Sequence, residues 1–396
     1  MMLEYLKALE VLKKRILPYE RIEKVAITEC LGRILAEDIR ARADFPAFKT
    51  ASMDGYGVKF SEQDKPLKIL GKTAAGQMPS FKLKSKECVK TFTGSLLCEG
   101  ADTLVPVENV RVEGDLLFVE KQVAKGFAVR QVGESYHKDE LLLSKGTRLD
   151  YSELALLAEL GFFHISVFIK PKIGILSSGD ELKDLGESLE NPAQIYSSNH
   201  LALASLVKKF GGEPLIFPLL KDEAKEVSLR LKNALKSCDL LITTGGVSMG
   251  DFDFLKQELL NYELLVDKVS IKPGRHIKIA VFEDKFILAL PGFAYSAMVT
   301  FHLFARVILN HWLLQGELKT IKAFLKQDYV KKSSLLEYVA CNLSFEEGKV
   351  YVDLEGKKSG SSAILANLNH NAALLIAPLE AKELKKGDLV KVLLLG

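Results

Sequence analysis

The stretch Thr243 to Asp253, TTGGVSMGDFD, holds the residue types that a bound phosphate calls for. Gly245, Gly246 and Gly250 free the backbone to approach a ligand, Ser248 adds a hydroxyl, and a helix starting behind them supplies unpaired N–H groups. Asp251 and Asp253 follow, and carboxylates beside a phosphate repel it unless a hard cation such as Mg²⁺ lies between them. A glycine-rich turn closed by an aspartate helix cap explains one carboxylate, but not the glycines, the serine and two aspartates together. A second segment, SSGDEL, offers Ser177, Ser178 and the acidic pair Asp180 and Glu181. A helix cap alone would explain Asp180, whereas carboxylates from both segments around one crevice would make a divalent-metal site. In SIKPGRHIKI, Lys272 and Arg275 flank a Pro-Gly turn and suit an oxyanion, one as a point charge and one as a bidentate fork, although such pairs are also ordinary surface charge. Asp54 precedes a glycine in FPAFKTASMDGYGV, and Thr93 with Gly94 opens TFTGSLLCEGADTLVPVE. Taken singly, each of these two reads as a β-turn. No serine, histidine and aspartate triad can be assembled from them.

These residues need elements to position them. Residues 171–315 alternate strand and helix: KIGILSS, NHLALASLVKKFGG, EPLIFPLL, DEAKEVSLRLKNALKS, CDLLITT. Near-continuously apolar strands between amphipathic helices predict a mostly parallel sheet with helices on both faces. Ligands of such sheets bind beyond the carboxyl ends of the strands, which puts SSGDEL and TTGGVSMGDFD on one rim. Residues 45–135 hold short β-prone runs between glycine and charged turns, predicting a small, mostly antiparallel N-terminal β domain. Residues 316–396 turn β again, with a hairpin at YVACNLSFEEGKVYVDLEG, and form a separate C-terminal β domain. Residues 1–44 and 136–170 remain as a discontinuous helical unit, including a strand and a helix within VAITECLGRILAEDIR and a helix at YSELALLAELGF. The fold class is therefore a multidomain α/β chain.

Composition narrows the function classes. The chain has 396 residues, 48% of them hydrophobic, enough for two to four domain cores. Its 54 basic and 51 acidic residues nearly cancel, so no chain-wide field draws it to nucleic acid or to an anionic membrane. The five scattered cysteines form no C-x-x-C pair and point to a reducing cytoplasm, without a disulfide framework or zinc site. Phe286 to Ala305 lacks Asp, Glu, Lys and Arg, but Pro291-Gly292 divides it into a strand and a buried helix, so it is read as core rather than membrane span.

In order along nearly the whole chain, SMDGYGV, TFTGSLLCEGAD, VRQVGE, SSGDEL, IYSSN, TTGGVSMGDFD, IKPGR and LPGFAYSA resemble the motifs of the molybdopterin molybdotransferase family, which includes the E domain of gephyrin. The resemblance implies a central molybdopterin-binding-like domain, a C-terminal β-barrel and a homodimer with the active site shared between subunits. It implies Mg²⁺-dependent insertion of molybdate into adenylated molybdopterin with release of AMP, the last step of molybdenum cofactor formation. The implied roles are catalysis for Asp54, Glu181 and Asp253; pterin phosphate or adenylate binding for Thr93, Gly94, Ser177, Ser178, Gly245, Gly246 and Ser248; molybdate binding for Lys272, Arg275 and Ser296; and Mg²⁺ binding for Asp180, Glu181, Asp251 and Asp253. The molybdopterin adenylyltransferase is an implied partner. The family's LPGNPVSA is here LPGFAYSA, so Phe293, Ala294 and Tyr295 depart from it. Further departures are Ser135 after VRQVGE, His276 in KPGRH, and Leu335 at the arginine of GRxEF. Two other functions share parts of this pattern: a molybdopterin adenylyltransferase, through its TTGG loop, and a non-catalytic scaffold of the gephyrin kind.

Overall fold

The computed structural model describes residues 2–220, 224–246, 254–358, 361, 363–370 and 372–396. They fall into two compact units, one of Glu37–Lys145 with Tyr151–Phe163, the other of Met1–Ala36, Gly146–Asp150 and His164–Gly396.

The smaller unit is built on a six-stranded sheet in the order Thr103–Pro106, Gly55–Val58, Glu87–Thr91, Leu67–Thr73, Leu116–Val119, Val110–Glu113. Its pairings are antiparallel except for Leu67–Thr73 against Glu87–Thr91, which run parallel. Tyr56, Val58, Leu67, Cys88, Val105 and Leu117 form its core.

In the larger unit the expected α/β sheet is present, in the order Glu213–Ile216, Lys172–Ser177, Leu240–Thr244, Lys285–Leu290, Lys278–Phe282, Glu263–Val266. The first four strands are parallel, and Lys278–Phe282 runs antiparallel to both of its neighbours. Successive side chains of a strand point to opposite faces, so Leu240 and Ile242 pack with the helix Ser198–Lys209 while Leu241 packs with Ala224–Ser237 and Phe254–Leu259. Burial on both faces is why these strands read as unbroken apolar runs. The uncharged stretch after Pro291 runs into a mostly buried rod, helical over Ala294–Thr300, a π-helical turn over Phe301–Ala305, and continued beyond the uncharged stretch by the helix Arg306–Trp312. Among the described residues no helix is long and apolar enough to cross a membrane.

The C-terminal strands close into a five-stranded barrel. Leu336–Glu346 pairs with Lys349–Asp353, then Thr320–Leu325, Leu389–Leu394 and Ala372–Ala377 follow, and the last returns to Leu336–Glu346. Closure leaves the barrel without an unpaired edge. A short strand, Ile271–Lys272, pairs in parallel with the start of Leu336–Glu346, with Lys272 opposite Glu337.

One expected helix is absent. Between the strands Ile22–Ala26 and Ile39–Arg40 the one helical element is a single 3₁₀ turn, Ile27–Glu29. Gly32 and Leu35 donate their N–H groups to Leu149 and Thr147, and Leu149 donates to Arg33. Pairing with a distant segment has overridden the local apolar spacing. Residues 1–44 and 136–170 thus carry two α-helices, Tyr5–Arg15 and Tyr151–Glu159, and otherwise paired strands such as Ile22–Ala26 with His164–Phe168.

Candidate functional site

The carboxyl ends of three parallel strands bring their loops together. Ser177 lies in register with Thr244, whose hydroxyl donates to Ser177 Oγ at 2.8 Å, and Ser178 N–H donates to the Thr244 carbonyl at 2.9 Å. Gly245 follows with φ of +84°, and a Cβ there would stand 2.3 Å from the Ser178 carbonyl oxygen. No side chain fits that approach, so the glycine is required by the packing of one loop on the other. The Pro291-Gly292 loop closes in from the third strand: a Cβ on Gly292 would lie 3.6 Å from the Gly245 Cα. Asn199, in the first turn of the helix Ser198–Lys209, donates from Nδ2 to the Gly292 carbonyl at 2.7 Å.

Around these loops opens a cleft of about 760 Å³. Of the residues singled out in the sequence, Ser178, Glu181, Gly245, Gly246, Lys272, Arg275 and Ser296 all line it. Ser177 lies fully buried beneath the rim. The Oγ of Ser178 and the Oδ1 of Asn199 are buried with no hydrogen-bond partner among the described residues. Unmet polar atoms at a cleft floor are costly unless a ligand or water meets them.

The cationic side is anchored on the barrel. Lys272 Nζ lies 3.3 Å from Glu337 Oε1, and the Glu337 side chain is 2% exposed. Burial would push that carboxyl up, but hydrogen bonds from Tyr329 (2.5 Å) and Ser333 (2.7 Å), with the charge of Lys272, outweigh it and hold it below the usual range. Glu337 is therefore ionised and fixes the lysine. Arg275 is exposed at the next turn. His276 also lines the cleft, and its burial, together with Lys268, Arg275 and Lys278, keeps its imidazole below the ordinary value.

The acidic side is partly described. Asp180 and Glu181 are exposed on the SSGDEL loop; the Glu181 carboxylate folds back over Gly179, and its carbonyl accepts the Ile195 N–H at 2.8 Å. Ser248, Asp251 and Asp253 lie outside the described residues. Among the described residues no three Asp, Glu, His or Cys side chains form a group that could hold a metal ion. Asp180 and Glu181 nevertheless supply hard oxygen donors, the chemistry that Mg²⁺ takes.

In the smaller unit, Asp54 and Thr93 do meet. Asp54 Oδ1 accepts the Thr93 N–H at 2.8 Å and its hydroxyl at 2.7 Å. These bonds hold the Asp54 carboxyl below its ordinary value although it is exposed. Gly94, with φ of +77°, donates its N–H to Ala51 at 2.8 Å, which fixes the turn.

Sequence reasoning missed Asn199, Gly292, Ser333 and Glu337 as parts of this site. Asn199 stood in a recognised motif, and a polar residue at a helix start beside the strand rim was the available signal. Ser333 gave none, whereas Glu337 stands at the glutamate of the GRxEF segment whose arginine is Leu335, a signal left unused; its pairing with Lys272 helps bring the barrel to the cleft.

The comparisons with known proteins agree along the chain. Residues 3–161 match the family described as "MoeA N-terminal region (domain I and II)", and residues 174–311 match "Probable molybdopterin binding domain". A molybdopterin molybdenumtransferase of a Nostoc species is 32% identical over 377 residues, covering 91% of this chain and 86% of its own. That of Bacillus subtilis is 32% identical over 389 residues, covering 94% and 90%. A crystal structure of a molybdopterin biosynthesis moeA protein from Pyrococcus horikoshii is 30% identical, covers all of both chains and superposes with a TM-score of 0.83.

Proposed function

Since this chain belongs to the molybdopterin molybdenumtransferase family, we propose that its cleft inserts molybdate into adenylated molybdopterin and releases AMP, completing the molybdenum cofactor. The observation that carries this reading is the single cleft in which three strand-end loops, an unmet serine hydroxyl and two cations converge. The Gly245-Gly246 backbone, with Ser177, Ser178 and Ser248, would hold the phosphate of the pterin or the adenylate, and Thr93 and Gly94 keep the same assignment by the family resemblance. Lys272, Arg275 and Ser296 would receive molybdate, a tetrahedral dianion that suits an ammonium, a guanidinium fork and a hydroxyl. Glu337 compensates Lys272, whereas Arg275 has no carboxylate partner among the described residues and would offer its charge to the anion.

Release of AMP requires a water oxygen to bond to a phosphorus of the phosphoanhydride as the bridging P–O bond breaks. Asp54, Glu181 and Asp253 would orient that water and take its proton. Asp180, Glu181, Asp251 and Asp253 would hold Mg²⁺, which when bound neutralises phosphate charge. The five cysteines are free thiols and all are buried, which supports a place in the reducing cytoplasm. The proposal includes a homodimer with the site shared between subunits and the molybdopterin adenylyltransferase as the supplier of substrate.

The test gives purified protein adenylated molybdopterin, molybdate and Mg²⁺. AMP release that depends on molybdate and stops on chelation of the metal is the expected result. Activity on molybdopterin and ATP instead would make it an adenylyltransferase, and soluble protein that fails to complement a strain lacking the transferase would favour a scaffold.

A further inference from the structure

Part of the cleft lining is apolar. Phe293, Ile195, Leu182 and Pro291 contribute to it, as does Leu335 from the barrel side, next to the pairing of Lys272. Phe293 is 60% exposed and Ile195 is 54% exposed. Single exposed apolar side chains are common and need no explanation, but several gathered in one cleft mark a surface that something covers. The backbone that carries Phe293 is fixed on both sides. The Gly292 carbonyl accepts from Asn199 Nδ2 at 2.7 Å, and the Phe293 carbonyl accepts the Ala297 N–H at 2.9 Å at the start of the helix Ala294–Thr300. A rigid main chain thus presents an uncovered ring, with few torsions left to order when a ligand arrives.

Lys272 and Arg275 line the same cleft. An apolar, aromatic lining together with two cations fits a ligand with a flat ring at one end and an anion at the other. We propose that Phe293 is the platform on which a heteroaromatic ring of the substrate stacks, fixing the ring while the cationic loop holds the anionic end. This rests on the reading of the cleft given above and adds to it a residue that selects the ring. Two rings of the substrate share the required chemistry, the adenine and the pterin, and binding experiments can separate them.

The full-length protein and its Phe293→Ala, Phe293→Leu and Phe293→Tyr variants are titrated calorimetrically with AMP, ribose 5-phosphate, molybdopterin under anaerobic conditions, and molybdate. Phe293→Ala should weaken the stacked ligand about ten-fold, with Phe293→Tyr within about two-fold of the parent and Phe293→Leu between them. Ribose 5-phosphate and molybdate, which have no aromatic ring, should bind all four proteins alike. A loss confined to AMP assigns the adenine, a loss confined to molybdopterin assigns the pterin, and a loss of both means that the platform serves either ring. The proposal is overturned if Phe293→Ala or Phe293→Leu binds both ring ligands as tightly as the parent, or if ribose 5-phosphate weakens in step with AMP. A parent protein that binds neither AMP nor molybdopterin removes the underlying reading of the cleft, and that outcome is distinct from an unchanged variant.

Discussion

Asp54 spends both of its described hydrogen bonds on one oxygen, with Thr93 supplying a backbone and a side-chain donor. The lowered pKa that results keeps the carboxylate charged above the ordinary aspartate value, and charge is lost only as pH falls through the lower, folded value. On the proposed assignment, Asp54→Asn lowers turnover by about 100-fold or more without unfolding the protein. Thr93→Ala removes the hydroxyl but keeps the backbone N–H, so the acidic limb of the rate profile should move up toward the usual carboxylate range and stop short of it. A profile that does not move while Asp54→Asn is inactive would remove Asp54 from the titration. Gly245 allows a different kind of test. With φ at +84° and the Ser178 carbonyl 2.3 Å from any Cβ, Gly245→Ala combines left-handed strain with a backbone clash. A loss of more than about 2 kcal/mol, read from the urea midpoint, is expected. An unchanged midpoint would mean that the two loops do not meet as described.

Elements show where sequence was enough and where it was not. The sheet of the larger unit was legible because its strands are buried on both faces and its helices carry a regular apolar stripe, so local pattern and global fold agree. The barrel strands were legible for the same reason, as hairpins with polar turns. The helix expected after Val25 failed because Gly32 and Leu35 find partners more than a hundred residues away, at Leu149 and Thr147, which no local period encodes. The cleft was legible at the strand-end loops, where glycine, serine and carboxylate fall together, and illegible at Ser333, which joins its lining from the barrel, near the pairing of Lys272 with Glu337. Tyr295 is a similar case. Its hydroxyl accepts from Ala340 N–H at 3.2 Å and donates to the Tyr338 carbonyl at 3.3 Å, tying the helix Ala294–Thr300 to the barrel strand Leu336–Glu346. Burial pushes its phenol up to about 12, so it remains a neutral donor across the working pH range. Tyr295→Phe keeps the ring but leaves two backbone groups unpaired, and a loss of about 1–2 kcal/mol in chemical denaturation is expected. A neutral result would show that water or the strand itself satisfies those groups.

Over the whole chain, the proposed functional groups are divided between the two compact units, with Asp54 and Thr93 in one and the cleft in the other. The proposed homodimer takes Asp54 from one subunit and Asp253 from its partner, and two-fold symmetry makes that arrangement testable by counting lesions. A heterodimer of Asp54→Ala with Asp253→Ala then places both substitutions in one of its two sites and leaves the other site with both carboxylates. Each variant alone should be inactive, whereas the heterodimer, isolated through a different tag on each subunit, should release AMP at about half the rate of the unsubstituted dimer. Random co-expression dilutes this to about one quarter, because only half of the dimers formed are mixed. If each site were completed within a single chain, every site of the heterodimer would carry one lesion and no activity would return. An inactive, verified heterodimer therefore removes the shared site while leaving the reaction itself to stand on AMP release by the unsubstituted protein.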